Sequence, residues 1–106
     1  MLGIHTLVKA TDEGYGEYIG EVVGFKLNPA PVYHVKILAC IKYPSQNALI
    51  FKDHQFKRSP YPYLSQQIFP ISTVLLYTGE IPDYEHSVMC AYLQSNEAGG
   101  MALCHR

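Results

Sequence analysis

A chain of 106 residues, 48% hydrophobic and 16% charged, has the size and composition of one globular domain with a modest core, which excludes a disordered polymer. Its formal net charge of −1 supplies no overall field to gather nucleic acid or an anionic membrane. Nine tyrosines, four phenylalanines and no tryptophan favour half-buried sheet positions and contact surfaces, because a tyrosine ring packs while its hydroxyl stays wet.

In chain order, the start Met1-Leu2-Gly3-Ile4-His5-Thr6 lacks the basic and apolar regions of a signal peptide. The first strand is expected over His5 to Thr11, ending in the turn-rich Asp12-Glu13-Gly14-Tyr15-Gly16. The second runs from about Glu17 to Lys26 and carries Gly20 and Gly24. Glycine inside a strand marks a bend, a bulge or close backbone approach, so the sheet is expected to curve. Asn28-Pro29-Ala30-Pro31 has too few backbone donors for a ladder and reads as a loop. From Tyr33 to Tyr43, the set Val35, Ile37, Ala39, Ile41 and Tyr43 alternates with His34, Lys36, Leu38, Cys40 and Lys42. That period puts one face in the core and the other mostly in water.

Ala48 to Phe51 reads as a short strand. Beyond it, Pro60, Pro62 and Pro70 exclude a long helix or a central strand. Ser72 to Tyr77 is expected as the last strand. Then Tyr84, Val88, Ala91 and Tyr92 fall at helical spacing, with Asp83 placed to cap the first turn. The organisation expected is one domain over 1–106, with a β core over about 4–78, a helix over about 83–95 and a loose tail over 96–106. Its fold class is mainly β, a small curved antiparallel sheet or SH3-like barrel with a short C-terminal α-helix.

No catalytic site, metal site or cofactor is expected. His5, His34, His54, His86 and His105 never fall at the spacing of a helical ligand pair. Gly14-Tyr15-Gly16 through Gly20 resembles a nucleotide loop, but no helix follows to meet a phosphate. Glu21 or Glu80 with a histidine would make an acid–base pair only if the fold brought them into one pocket. Cys40, Cys90 and Cys104, odd in number and unrelated in spacing, fit reduced thiols in a cytoplasm. Ile37-Leu38-Ala39-Cys40 imitates a lipidation box without the apolar lead-in such a signal needs. No apolar run approaches the roughly 20 residues of a membrane helix, so direct membrane insertion is not expected.

The segment Lys52 to Tyr63 interleaves Lys52, Lys57 and Arg58 with Phe51, Phe56, Tyr61 and Tyr63. Three readings fit it. The first is a loop whose aromatics pack on the sheet; the second is a protein-contact surface anchored by Phe56, Lys57, Arg58, Tyr61 and Tyr63. The third is a small barrel binding single-stranded nucleic acid by stacking and phosphate neutralisation, and it ranks last. An edge strand of so small a sheet could also pair with a second copy, giving a homodimer.

Three runs in order carry a family resemblance. They are Tyr18-Ile19-Gly20-Glu21-Val22, then Val35-Lys36-Ile37-Leu38-Ala39 continuing to Lys42-Tyr43-Pro44-Ser45-Gln46, then Gly79-Glu80-Ile81-Pro82-Asp83-Tyr84 with Ser87. Together, and with Thr6, Val8 and Ala10 upstream, they resemble the kinase-associated protein B family of Gram-positive bacteria over about residues 4–88. The resemblance implies a curved antiparallel sheet with a helical extension. It also implies a regulatory, non-enzymatic role beside a membrane sensor histidine kinase that feeds the sporulation phosphorelay. The middle departs from the family: Asn47-Ala48-Leu49-Ile50 follows the glutamine where a Gly-Asp-Leu-His run is usual, and Pro60-Tyr61-Pro62-Tyr63 replaces a second polar run. A shared framework with a divergent middle supports fold better than partner. The expectation is therefore a cytoplasmic adaptor that contacts a signalling protein through the segment around residues 51–63.

Overall fold

The structure, a computed structural model, describes residues 2–44 and 59–94 in full and the backbone of 50–51, 54–55 and 95–96. Three strands, β1 (Leu7–Asp12), β2 (Gly16–Lys26) and β3 (Val32–Lys42), form an antiparallel meander. Gly14 and Gly16 turn the chain between β1 and β2 at φ 83° and 109°, and the Tyr15 N–H donates to the Asp12 carbonyl at 2.7 Å. The glycine-rich stretch is thus a hairpin turn, which glycine makes at low steric cost.

Two short strands, β4 (Ile50–Phe51) and β5 (His54–Gln55), pair with each other. β6 (Gln66–Pro70) then returns along β3. One 3-10 turn (Ile71–Thr73) leads to β7 (Val74–Leu76), which pairs with β1. The five-stranded sheet has the order β6-β3-β2-β1-β7 with every pair antiparallel, and it is not closed. Of the two expected forms, the curved open sheet is the one found.

Two details of the expected strands change. β6 was not expected, because Pro60, Pro62 and Pro70 discourage a ladder. It forms as an edge strand whose Pro70 sits at its last position opposite Val32, where a missing N–H costs least. The last strand is shorter than Ser72–Tyr77, since Ser72 and Thr73 complete the 3-10 turn and the Thr73 hydroxyl donates to the Pro70 carbonyl at 2.8 Å.

Curvature comes from register shifts between β2 and β3. Ile19 and Gly20 are neighbours, yet they face Ala39 and Ile37, leaving Leu38 over. A further shift between Glu17 and Tyr18 leaves Ile41 over, and one between Val22 and Gly24 leaves Val23 over. Such bulges bend a strand and increase its twist. At Gly20 the strands approach so closely that a Cβ would lie 2.6 Å from the Lys36 carbonyl oxygen and would overlap the Val35 side chain.

The concave face holds the core, with Val8, Tyr18, Val22, Tyr33, Val35, Ile37 and Phe69 almost fully buried. Alternation along β3 holds from Tyr33 to Ala39 and then breaks, because Cys40 is buried as well as Ala39. The helix α1 (Tyr84–Asn96) supplies the cover. Its Asp83 cap accepts the His86 N–H at 3.1 Å, as its position predicts. Ala91 and Cys90 face inward, and Tyr92 meets Tyr43 edge-on at 5.2 Å. Cys40 carries a free thiol, which burial pushes up to about 12. Cys90 is disulfide-bonded, against the expectation of reduced thiols throughout. Among the described residues no helix is long and apolar enough to cross a membrane.

Candidate protein-contact surface

The two tyrosines of Pro60-Tyr61-Pro62-Tyr63 have opposite fates. Tyr61 turns inward, half-buried, with its ring 5.0 Å from Tyr18 and edge-on to Phe69 at 6.2 Å. Its hydroxyl donates to Asp12 Oδ2 at 2.5 Å. Its N–H donates to the Tyr18 hydroxyl at 3.2 Å, and its carbonyl accepts from the Tyr84 hydroxyl at 2.5 Å. The Tyr18 hydroxyl completes the chain by donating to the Tyr15 carbonyl at 2.5 Å. Burial holds the Tyr18 hydroxyl well above its ordinary pKa and raises that of Tyr84, while the Tyr61 N–H offsets part of the effect at Tyr18. These hydroxyls stay protonated and serve as hydrogen-bonding posts. Tyr61 is therefore a structural pin, as in the packed-loop reading.

Tyr63 points out and is 54% exposed. Residues 62–65 reverse the chain beneath it: the Ser65 N–H and hydroxyl both donate to the Pro62 carbonyl, at 3.1 and 2.7 Å. The Leu64 N–H then donates to the Ile37 carbonyl at 2.7 Å, and the Ile37 N–H to the Ser65 carbonyl at 2.9 Å. Leu64 adopts φ 67° to make this possible. A leucine in that region costs about 1–2 kcal/mol, so the docking on β3 sustains a strained turn whose visible effect is to present Tyr63.

Beside Tyr63 lies an open groove of about 530 Å³ lined by Leu38, Ile81, Pro82, Asp83, Tyr84 and Glu85. Leu38 reaches it as the unpaired residue of the β3 bulge. The Tyr63 and Tyr84 rings stand 5.5 Å apart and tilted by 43°. Ile81 is exposed on the far wall. Of the described members of the sequence-derived contact set, Tyr63 stands at this groove, while Tyr61 lies behind it. Phe56, Lys57 and Arg58, with Lys52 of the nucleic-acid reading, lie outside the described residues. Leu38, Ile81, Pro82 and Tyr84 were missed as members of a contact surface. For the last three the signal was present in the Ile81-Pro82-Asp83-Tyr84 run, which sequence reasoning used as a helix start and a family mark.

The acid–base pair considered from sequence does form in part. His5 Nδ1 lies 2.5 Å from Glu21 Oε2, and Lys36 Nζ lies 3.5 Å from Glu21 Oε1. The hydrogen bond from His5, with help from Lys36, holds the Glu21 carboxyl below the usual carboxylate range. The histidine side chain is 78% exposed, so the pair makes a surface ion cluster. Glu80 is elsewhere; its carbonyl accepts the Tyr77 hydroxyl at 2.7 Å. Among the described residues, no three His, Cys, Asp or Glu side chains converge as metal ligands.

A second, shallower hollow is bordered by Leu2, Tyr33, Ile71, Val74, Leu75 and Leu76. Leu75 and Leu76 are more than 60% exposed, on a strand whose outer edge has no partner in the sheet.

The sequence matches a family model described as kinase associated protein B over residues 14–99. The fold is similar to the crystal structure of kinase-associated protein B from Bacillus cereus, with a TM-score of 0.73 and 30% identity. That match covers 90% of this chain and 74% of the other. No curated protein matches the sequence.

Proposed function

The chain belongs to the kinase-associated protein B family, and on that premise we propose that it is a non-enzymatic accessory protein that regulates a kinase by binding it. The family match carries this reading, because residues 14–99 span β2, β3, β6, β7 and the groove at the start of α1. The finer form names a membrane sensor histidine kinase of the sporulation phosphorelay, met at its cytoplasmic side. The geometry favours contact through Tyr63 and the groove beside it: an exposed aromatic next to a partly apolar hollow is the usual composition of an interface anchor.

The test is affinity capture of the tagged protein from solubilised host membranes, followed by identification of bound proteins and reconstitution with the purified kinase. The expected result is a histidine kinase whose autophosphorylation rate changes when this protein is added. Recovery of no kinase, or a kinase whose rate does not respond, would overturn the reading.

A further inference from the structure

The groove between Leu38 of β3 and the first turn of α1 has a one-sided charge. The charged residues among those that line it are both acidic, Asp83 and Glu85. Asp83 spends one carboxylate oxygen on capping the helix at His86. Glu85 forms no ion pair among the described residues. Asp83 and Glu85 thus outweigh the partial positive charge that a helix N-terminus places nearby, and the rim attracts cations.

The walls set a second requirement. Tyr63 and Tyr84 are tilted rings 5.5 Å apart, facing Leu38, Ile81 and Pro82. Proline 82 has no N–H, and the Tyr84 hydroxyl is already committed to the Tyr61 carbonyl. Such walls offer flat apolar contact and few hydrogen bonds to a guest backbone. A β-strand added here would leave its amides unmatched, whereas an extended polyproline-type segment keeps its backbone solvated and packs its rings on aromatic faces. The strained turn at Leu64, held on Ile37, fixes Tyr63 before any partner arrives. Strain of this kind gathers at ligand clamps.

We propose that this groove takes an extended, proline-containing peptide segment of the partner, flanked by arginine or lysine. The proposal deepens the kinase-binding reading and rests on it. The prolines seat against Tyr63 and Tyr84, and the basic residue pairs with Glu85 and the outer oxygen of Asp83. Because the ion pairs are at the rim, they contribute orientation and salt dependence more than tightness.

The experiment titrates the full chain with a fluorescein-labelled synthetic peptide rich in proline and ending in two arginines. Two control peptides carry alanine for proline or glutamate for arginine. Saturable binding is expected, weakening as salt rises and falling about tenfold or more with either control peptide and in Tyr63→Ala or Glu85→Lys. Circular dichroism checks that both variants remain folded; if Tyr63→Ala does not, Glu85→Lys and the control peptides decide. Absence of binding, equal binding of the glutamate peptide, or an unaltered affinity in a folded Glu85→Lys variant would overturn the proposal. Kinase capture is measured with the same variants. Capture that survives Tyr63→Ala and Glu85→Lys, with no peptide bound, removes the groove and leaves the accessory role standing; loss of capture by the unaltered protein removes the accessory role itself.

Discussion

Ser87 and Cys40, 47 positions apart in the chain, are joined by a buried hydrogen bond in which the Cys40 N–H donates to the Ser87 hydroxyl at 3.0 Å. The same hydroxyl donates to the Tyr84 carbonyl at 2.7 Å. One small side chain thus ties the first turns of α1 to the stretch of β3 where register has slipped. It also satisfies an N–H that would otherwise be sealed from water. Ser87→Ala should destabilise the protein by about 1–3 kcal/mol, the cost of an unsatisfied buried donor. Urea unfolding measures that loss, and hydrogen exchange should show the amides of α1 losing protection first. A stability change near zero would mean that water reaches Cys40.

Gly20 has no room for a methyl group, since its Cβ would stand 2.6 Å from the Lys36 carbonyl oxygen. The obstacle is backbone held in a ladder, so it cannot swing aside as a side chain could. Gly20→Ala should therefore cost about 1–3 kcal/mol through overpacking. Gly24→Ala, whose Cβ meets only the His34 Cβ at an ordinary 3.9 Å, should cost far less. Thermal melts of the two variants side by side make the comparison.

Tyr61 and Asp12 give a cleaner separation of fold from binding. Tyr61→Phe keeps the ring on Tyr18 and removes the bond to Asp12. A loss of about 1.5–3 kcal/mol is expected for a hydrogen bond to a charged group, tending to the lower figure because the site is half-buried. In a double-mutant cycle with Asp12→Asn, the two effects should fail to add. Affinity for any partner that Tyr63 holds should stay unchanged in the folded Tyr61→Phe variant, and titration with that partner checks it.

Acid should act through Glu21. Its carboxyl is held low in the folded protein by His5 first and Lys36 second. A group lowered on folding contributes stability that is complete above its unfolded value, about 4.3, and is lost as pH falls through the folded value. Glu21→Gln should thus unfold less steeply than the unaltered protein below about pH 4.3. With a partner as exposed as His5, the difference should be small and should shrink in high salt. Denaturant midpoints across pH, at two salt concentrations, measure both.

The strands that sequence reasoning recovered are those with period and punctuation. β3 alternates as far as Ala39, glycine or proline punctuates the turns between β1, β2 and β3, and Asp83 marks the start of α1 by chemistry that needs no tertiary knowledge. β6 had no such mark: along Gln66–Pro70 only Phe69 is buried, so an edge strand shows almost no alternation. Leu38 sits at a regular outward position in the pattern of β3, and nothing local reveals that a bulge leaves it unpaired. The divergence of Tyr61 from Tyr63 is the sharpest case. Two residues apart in a straight extended run, they would share a side. The turn over residues 62–65 parts them, and it depends on a Leu64 conformation that leucine seldom adopts.

Tyr61 meets the β1–β2 hairpin through Asp12, the core through Tyr18 and the helix through Tyr84. Mechanically it is a rivet through three plates. A pull on the start of α1 reaches the hairpin by way of one residue, and none of the three can slide without shearing the bonds to the other two. Tyr63 is mounted two positions from that rivet. A partner closing on it grips a rigid bracket, so association should leave the backbone of this domain almost where it stands.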